Sequence, residues 1–116
     1  MESIQKEQVQ QALDQFLNKE VYVHLETTNG AYASHFDKNA YNVGAFIRNA
    51  PIQYSQAKIV GEHSFRVGLK AQHGWVYAEG LTDFEIDDQN RLLMAGHDVE
   101  GRLMVALEIS ETPFGQ

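Results

Sequence analysis

A chain of 116 residues, 43% hydrophobic and 22% charged, has the make-up of one globular domain, which excludes a multidomain enzyme and a disordered segment alike. It has no cysteine, and so no disulfide, thiolate metal site or cysteine nucleophile. Nine Lys and Arg against sixteen Asp and Glu give a formal charge of −7, which repels phosphate backbones and anionic lipid, so neither nucleic acid nor membrane is expected as a partner.

The first residues, from Met1 to Glu7, lack a basic segment followed by an apolar stretch, and no apolar run approaches the ~20 residues that span a bilayer. The expected address is the cytoplasm. Val9, Ala12, Leu13, Phe16 and Leu17 recur at the spacing of one helical face, with Ser3 as a candidate N-cap and Asn18 as a candidate end. That apolar stripe must lie on a sheet or on a partner.

From Val21 onward the texture changes to short β-type runs separated by turn residues. Residues 21–28 and 31–37 flank Asn29-Gly30, a dipeptide that accepts positive φ at both positions and so predicts a hairpin. Residues 38–42 read as a loop. Residues 43–49 and 52–60 are the next strands, with Pro51 expected to interrupt them. Residues 64–71 and 75–80 flank the turn Gln72-His73-Gly74, and residues 82–87 and 91–97 flank Asp88-Gln89-Asn90. The last strand, 102–110, follows Glu100-Gly101, and residues 113–116 look like a loose tail. Turns at such even spacing predict a mainly β, antiparallel, strongly bent meander or barrel-like sheet with one N-terminal helix. Gly44, Gly68, Gly80 and Gly96 fall inside strand runs, where glycine marks bulges and sharp coiling. The runs around Leu92-Leu93-Met94 and from Leu103 to Ile109 are apolar on both faces, as in a central strand or a subunit interface. A homodimer is expected on that ground.

The candidate chemistry lies in the first predicted hairpin. With Asn29-Gly30 as its turn, His24 would face His35 across the ladder and share a face with Glu26. Two imidazoles and a carboxylate could hold zinc or another divalent metal, or act as a general acid–base pair, with His97 as a further candidate ligand. The solvated face of an ordinary half-buried hairpin has the same composition. His63 and His73 fall in turns. Trp75 and Tyr77 share a strand face with Glu79, an aromatic patch able to stack a ligand or to pack in a core. Arg48 sits in an apolar strand, where it needs either an anionic partner or an edge position. No glycine-rich phosphate loop, nucleophile elbow, His-Glu-x-x-His helix or calcium loop is present, and no organic cofactor is expected.

The strings at residues 21–32, 44–49, 74–81 and 92–98 together resemble the YojF family of small bacterial proteins. The resemblance implies a mainly β structure of bent, coiled sheets with an N-terminal helix. It also implies a gene neighbourhood with a deacetylase of the type used to make bacillithiol, a low-molecular-weight thiol, and assigns no catalytic residue. The expected function is therefore a non-enzymatic accessory protein, a homodimer that assists that deacetylase. The alternatives are a metal-binding module or metal-dependent hydrolase using His24, His35 and Glu26, and a small-ligand carrier with a pocket near Trp75 and Tyr77.

Overall fold

The computed structural model describes residues 1–29 and 38–115. Along the chain run β1 (Glu2–Ser3), α1 (Lys6–Gln15), β2 (Glu20–Thr28), β3 (Gly44–Gly61), β4 (Phe65–Ala71), β5 (Gly74–Leu81), β6 (Asp83–Ile86), β7 (Leu92–His97) and β8 (Leu103–Ser110). The strands form one sheet in the order β1-β6-β7-β8-β2-β3-β4-β5, every pair antiparallel. The sheet curls into a half-barrel that brings β5, at one end of the order, against β7 and β8.

Bulges produce the curl, because each adds a residue on one strand and raises the local twist. Gly80, at φ +87°, is the extra residue where β5 passes Phe65 and Arg66. Asn49, at φ 55°, does the same in β3, and the β7–β8 ladder shifts register after Gly96. Inside the curl lies α1, whose Val9, Ala12, Leu13 and Phe16 are buried as their spacing predicts. The central strands supply Val21, Val23, Met94, Leu107 and Ile109 to the same core.

Polar contacts fix the helix on β3. Gln10 donates to the Ala57 carbonyl at 2.9 Å and accepts from the Ile59 N–H at 3.0 Å, completing backbone groups of β3 beyond its pairing with β2. The buried Tyr54 hydroxyl donates to the Leu13 carbonyl at 2.6 Å, in the last turn of α1. Asn18, at φ 63°, ends the helical region as expected, and its N–H donates to the Tyr54 carbonyl.

Several expectations need correction. Ser3 lies in β1 opposite Asp83, and the N-cap position of α1 is Gln5, whose side chain makes no capping bond. The two strands expected on either side of Pro51 are one 18-residue strand. Over Gly44–Gln53, β3 has β2 on one side and, among the described residues, no strand on the other, the edge position at which a sheet accepts proline. Both edges of β2 are taken over Tyr22–Thr27, by β3 and β8, and residues 31–37, the expected second arm of the hairpin, lie outside the described residues. Residues 113–115 are not loose: Phe114 is buried. Among the described residues no helix is long and apolar enough to cross a membrane.

Candidate functional site

Val21 and Val23 of β2 point into the core, so Tyr22, His24 and Glu26 share the opposite face. The β3 bulge sets two residues, Arg48 and Asn49, against His24. Asparagine tolerates the left-handed backbone this requires. The result is a polar cluster that pins the C-terminal segment. Arg48 Nη1 lies 3.3 Å from His24 Nδ1, and Arg48 Nη2 donates to the Gly115 carbonyl. Asn49 accepts from the Phe114 N–H at 2.7 Å and donates to the Phe114 carbonyl at 2.9 Å, the pairing a neighbouring strand would make. Two guanidiniums lie over the Phe114 ring, with Arg48 5.4 Å and Arg91 5.8 Å from its centroid.

These contacts assign the His24 tautomer. A guanidinium can only donate, so Nδ1 is an acceptor and the ring proton is on Nε2, which donates to Glu26 Oε1 at 3.1 Å. His24 is 8% exposed and both its nitrogens are engaged, so a metal there would have to displace one of these partners. The structure thus brings together His24 and Glu26. On the β8 side, His24 faces Glu108. His35 lies outside the described residues. His97 stands elsewhere, opposite Leu103, five residues along β8 from Glu108, or roughly 16 Å at the strand rise. Its Nδ1 is 3.7 Å from Asp83. Among the described residues no three His, Asp or Glu side chains are placed to share a metal ion. His63 and His73 are exposed, as turn residues should be.

Two features escaped the sequence reading. Asp87 and Arg91, and again Asp98 and Arg102, close the β6–β7 and β7–β8 connections by one scheme. In the second, Asp98 Oδ1 accepts the N–H groups of Glu100 and Arg102 while Oδ2 meets Arg102 Nε at 2.8 Å. Backbone and side-chain hydrogen bonds from Arg102 hold the Asp98 carboxyl below its usual range. At Asp87 burial pushes the other way, and the hydrogen bonds from Arg91 and Gln89 outweigh it. The repeated Asp-x-x-x-Arg spacing was a readable signal. So was Phe114, a bulky apolar residue too large to leave in solvent at a chain end.

On the other wing, Trp75 and Tyr77 stack with centroids 5.6 Å apart and planes 9° from parallel. Trp75 borders an open cleft of about 650 Å³ between residues 51–55 of β3 and the β4–β5 turn.

A family model described as a protein of unknown function (DUF1806) matches residues 3–114. The uncharacterized protein YojF of Bacillus subtilis (strain 168) is 52% identical over 114 residues, 98% of each chain. The crystal structure of Bacillus subtilis YojF protein matches with a TM-score of 0.84 at 47% identity, covering 99% of this chain and 97% of that one. The likeness read from the four strings of sequence therefore extends over the whole fold, and the chain belongs to the DUF1806 family.

Proposed function

We propose that this chain is a non-enzymatic interaction protein that works as a homodimer, joined through the free edge of β3, and that it assists a partner enzyme. The observation that carries the reading is the edge itself. Among the described residues, no strand pairs with Gly44–Gln53 on the side away from β2. Its apolar side chains are in the open, with Phe46 71% and Ile47 52% exposed, and Val43 just before them 61% exposed. An exposed apolar edge is a template for strand pairing, which soluble proteins otherwise blunt with charge or a covering segment. Pro51 blunts only its far end.

A second copy fits this edge better than a chain of opposite charge. An antiparallel edge strand pairs with itself about a two-fold axis, giving a closed, isologous interface. Two copies of a −7 protein repel, yet β3 contains no Asp or Glu, so its self-pairing brings no carboxylates together. The partner enzyme to test is the deacetylase that the family resemblance implies.

Analytical ultracentrifugation tests the dimer. The expected species has twice the 13.1 kDa chain mass, and Phe46→Asp converts it to monomer while the circular dichroism spectrum is retained. A monomeric parent protein at about 100 µM, where the weakest specific dimers associate, would overturn the dimer. Titrating the purified dimer into the deacetylase should change its turnover; unchanged turnover together with no co-migration in gel filtration would overturn the accessory role.

A further inference from the structure

The acidic charge of this chain is unevenly placed. Residues 38–78 hold five of the nine basic residues (Lys38, Arg48, Lys58, Arg66 and Lys70) and one of the sixteen acidic ones, Glu62. The register places three of those cations on one face. Lys58 lies opposite Gly68, Gly68 opposite Tyr77, Lys70 opposite Trp75, and Arg66 opposite Glu79. The outer face of β3, β4 and β5 thus sets Lys58, Arg66 and Lys70 around the two aromatic rings.

The rings are mounted for use at a surface. Both lean over Gly68, where a Cβ would meet Tyr77 Cε1 at 2.8 Å and Trp75 Cε3 at 3.5 Å, so the missing side chain is what lets them lie down on the sheet. They remain 46% and 53% exposed although they stack on each other. Leaving two large aromatic rings half in water keeps apolar area unburied, and a third flat ring stacked on the pair would remove it from solvent. Arg66 lies over Tyr77 at 5.6 Å and pairs with Glu79. Lys58 and Lys70 have no ion-pair partner among the described residues, and Lys70 and Trp75 both border the 650 Å³ cleft, a size that suits a small ligand.

We infer that the outer face of β4–β5, with its cleft, is a binding site for a free nucleotide-class ligand, a flat heteroaromatic ring that stacks on Trp75–Tyr77 and carries a phosphate held by Lys70. A free ligand is favoured over a nucleic-acid strand because the basic area is confined to one wing. A polymer leaving it would run along a molecule of net charge −7. The stack supplies affinity for any base, and the lysine selects the charged form. The cleft shares residues 51–53 with the β3 edge, so the titration below is run on the Phe46→Asp variant as well as on the parent protein, and binding is expected in both.

Trp75 is the sole tryptophan, so its fluorescence reports the site directly. Titrating the full-length protein with AMP should quench Trp75 emission saturably, and adenosine, which lacks the phosphate, should bind at least ten-fold more weakly. Lys70→Glu should weaken AMP at least ten-fold and Tyr77→Ala by a similar factor. Both residues are exposed, so both variants are expected to keep the parent circular dichroism spectrum and urea midpoint. Equilibrium dialysis of the Trp75→Ala variant against AMP, with retention lost, checks the stack without the fluorophore. No saturable quenching up to millimolar AMP, or quenching unchanged by Lys70→Glu, overturns the inference. A thymidine decamer that binds more tightly than AMP overturns it as well, in favour of single-stranded nucleic acid.

Discussion

Tyr54 shows how one side chain is made structural by its surroundings. It is fully buried, and its hydroxyl is committed to the Leu13 carbonyl, a group that the end of α1 leaves short of helical partners. Burial, reinforced by the Asp14 carboxylate, pushes its phenol well above the ordinary tyrosine range. The folded protein therefore holds this proton more tightly than the unfolded chain does. The resulting stability is complete below about pH 10, the unfolded value, and is lost as the pH rises above it. Tyr54→Phe is expected to cost about 1 kcal/mol at neutral pH, the net worth of one buried hydrogen bond, since the Leu13 carbonyl keeps its bond from the Phe16 N–H. Urea unfolding of parent and variant at pH 7 and again at pH 11 checks it: the gap should shrink at the higher pH. A gap that stays constant would show that the phenol does not couple ionisation to folding.

Among the elements, the hairpins of β6, β7 and β8 are set by their aspartates. Each carboxylate takes two backbone N–H groups of its own turn and one arginine, so the turn keeps its shape without relying on glycine or proline at every position. Asp98 has its carboxyl lowered, so its contribution is present above the unfolded value near pH 4 and fades as the pH falls through the lower folded value. Asp98→Ala should lower the thermal midpoint by a few degrees at pH 7 and by almost nothing at pH 2. Calorimetry at the two pH values decides the matter, and an equal loss at both would assign the effect to something other than the ionised carboxylate. The β3 edge shows the opposite arrangement, a stretch of backbone with no strand paired to its outer side among the described residues.

For the whole molecule, closure of the curl depends on two glycines meeting. Gly96 of β7 approaches Gly80 of β5 so closely that a Cβ on Gly96 would overlap the Gly80 carbonyl oxygen and come within 2.6 Å of Val105 Cγ1. Backbone cannot step aside as a flexible side chain can. Gly96→Ala should therefore cost at least about 2–3 kcal/mol, at the upper end of overpacking penalties, by prising β5 from β7 and β8. Denaturant titration measures it, and a loss below about 0.5 kcal/mol would mean that the two ends of the sheet separate freely.

The helix face, the mainly β antiparallel class and the bounds of β4 to β8 were legible in the sequence, because side-chain periodicity and turn chemistry are local. Gly80 and Gly96 were legible as bulge and bend positions for the same reason, since a strand spends glycine only where backbone must approach or turn. The site was half legible: residues two apart on a strand share a face, so His24 and Glu26 were correctly put together. Their other neighbours were not readable. Asn29-Gly30 announces a hairpin by local rule, yet the partner of a strand is whichever segment buries its apolar face, and β3 and β8 hold both edges of β2. Pro51 likewise ends a strand only where its missing N–H would have faced a partner strand. Phe114 lies 65 residues along the chain from Asn49, and no pattern of period two or 3.6 spans such a separation. What the tertiary structure alone decided was therefore pairing, closure and charge placement, because these depend on which distant surfaces meet once the apolar faces are buried together.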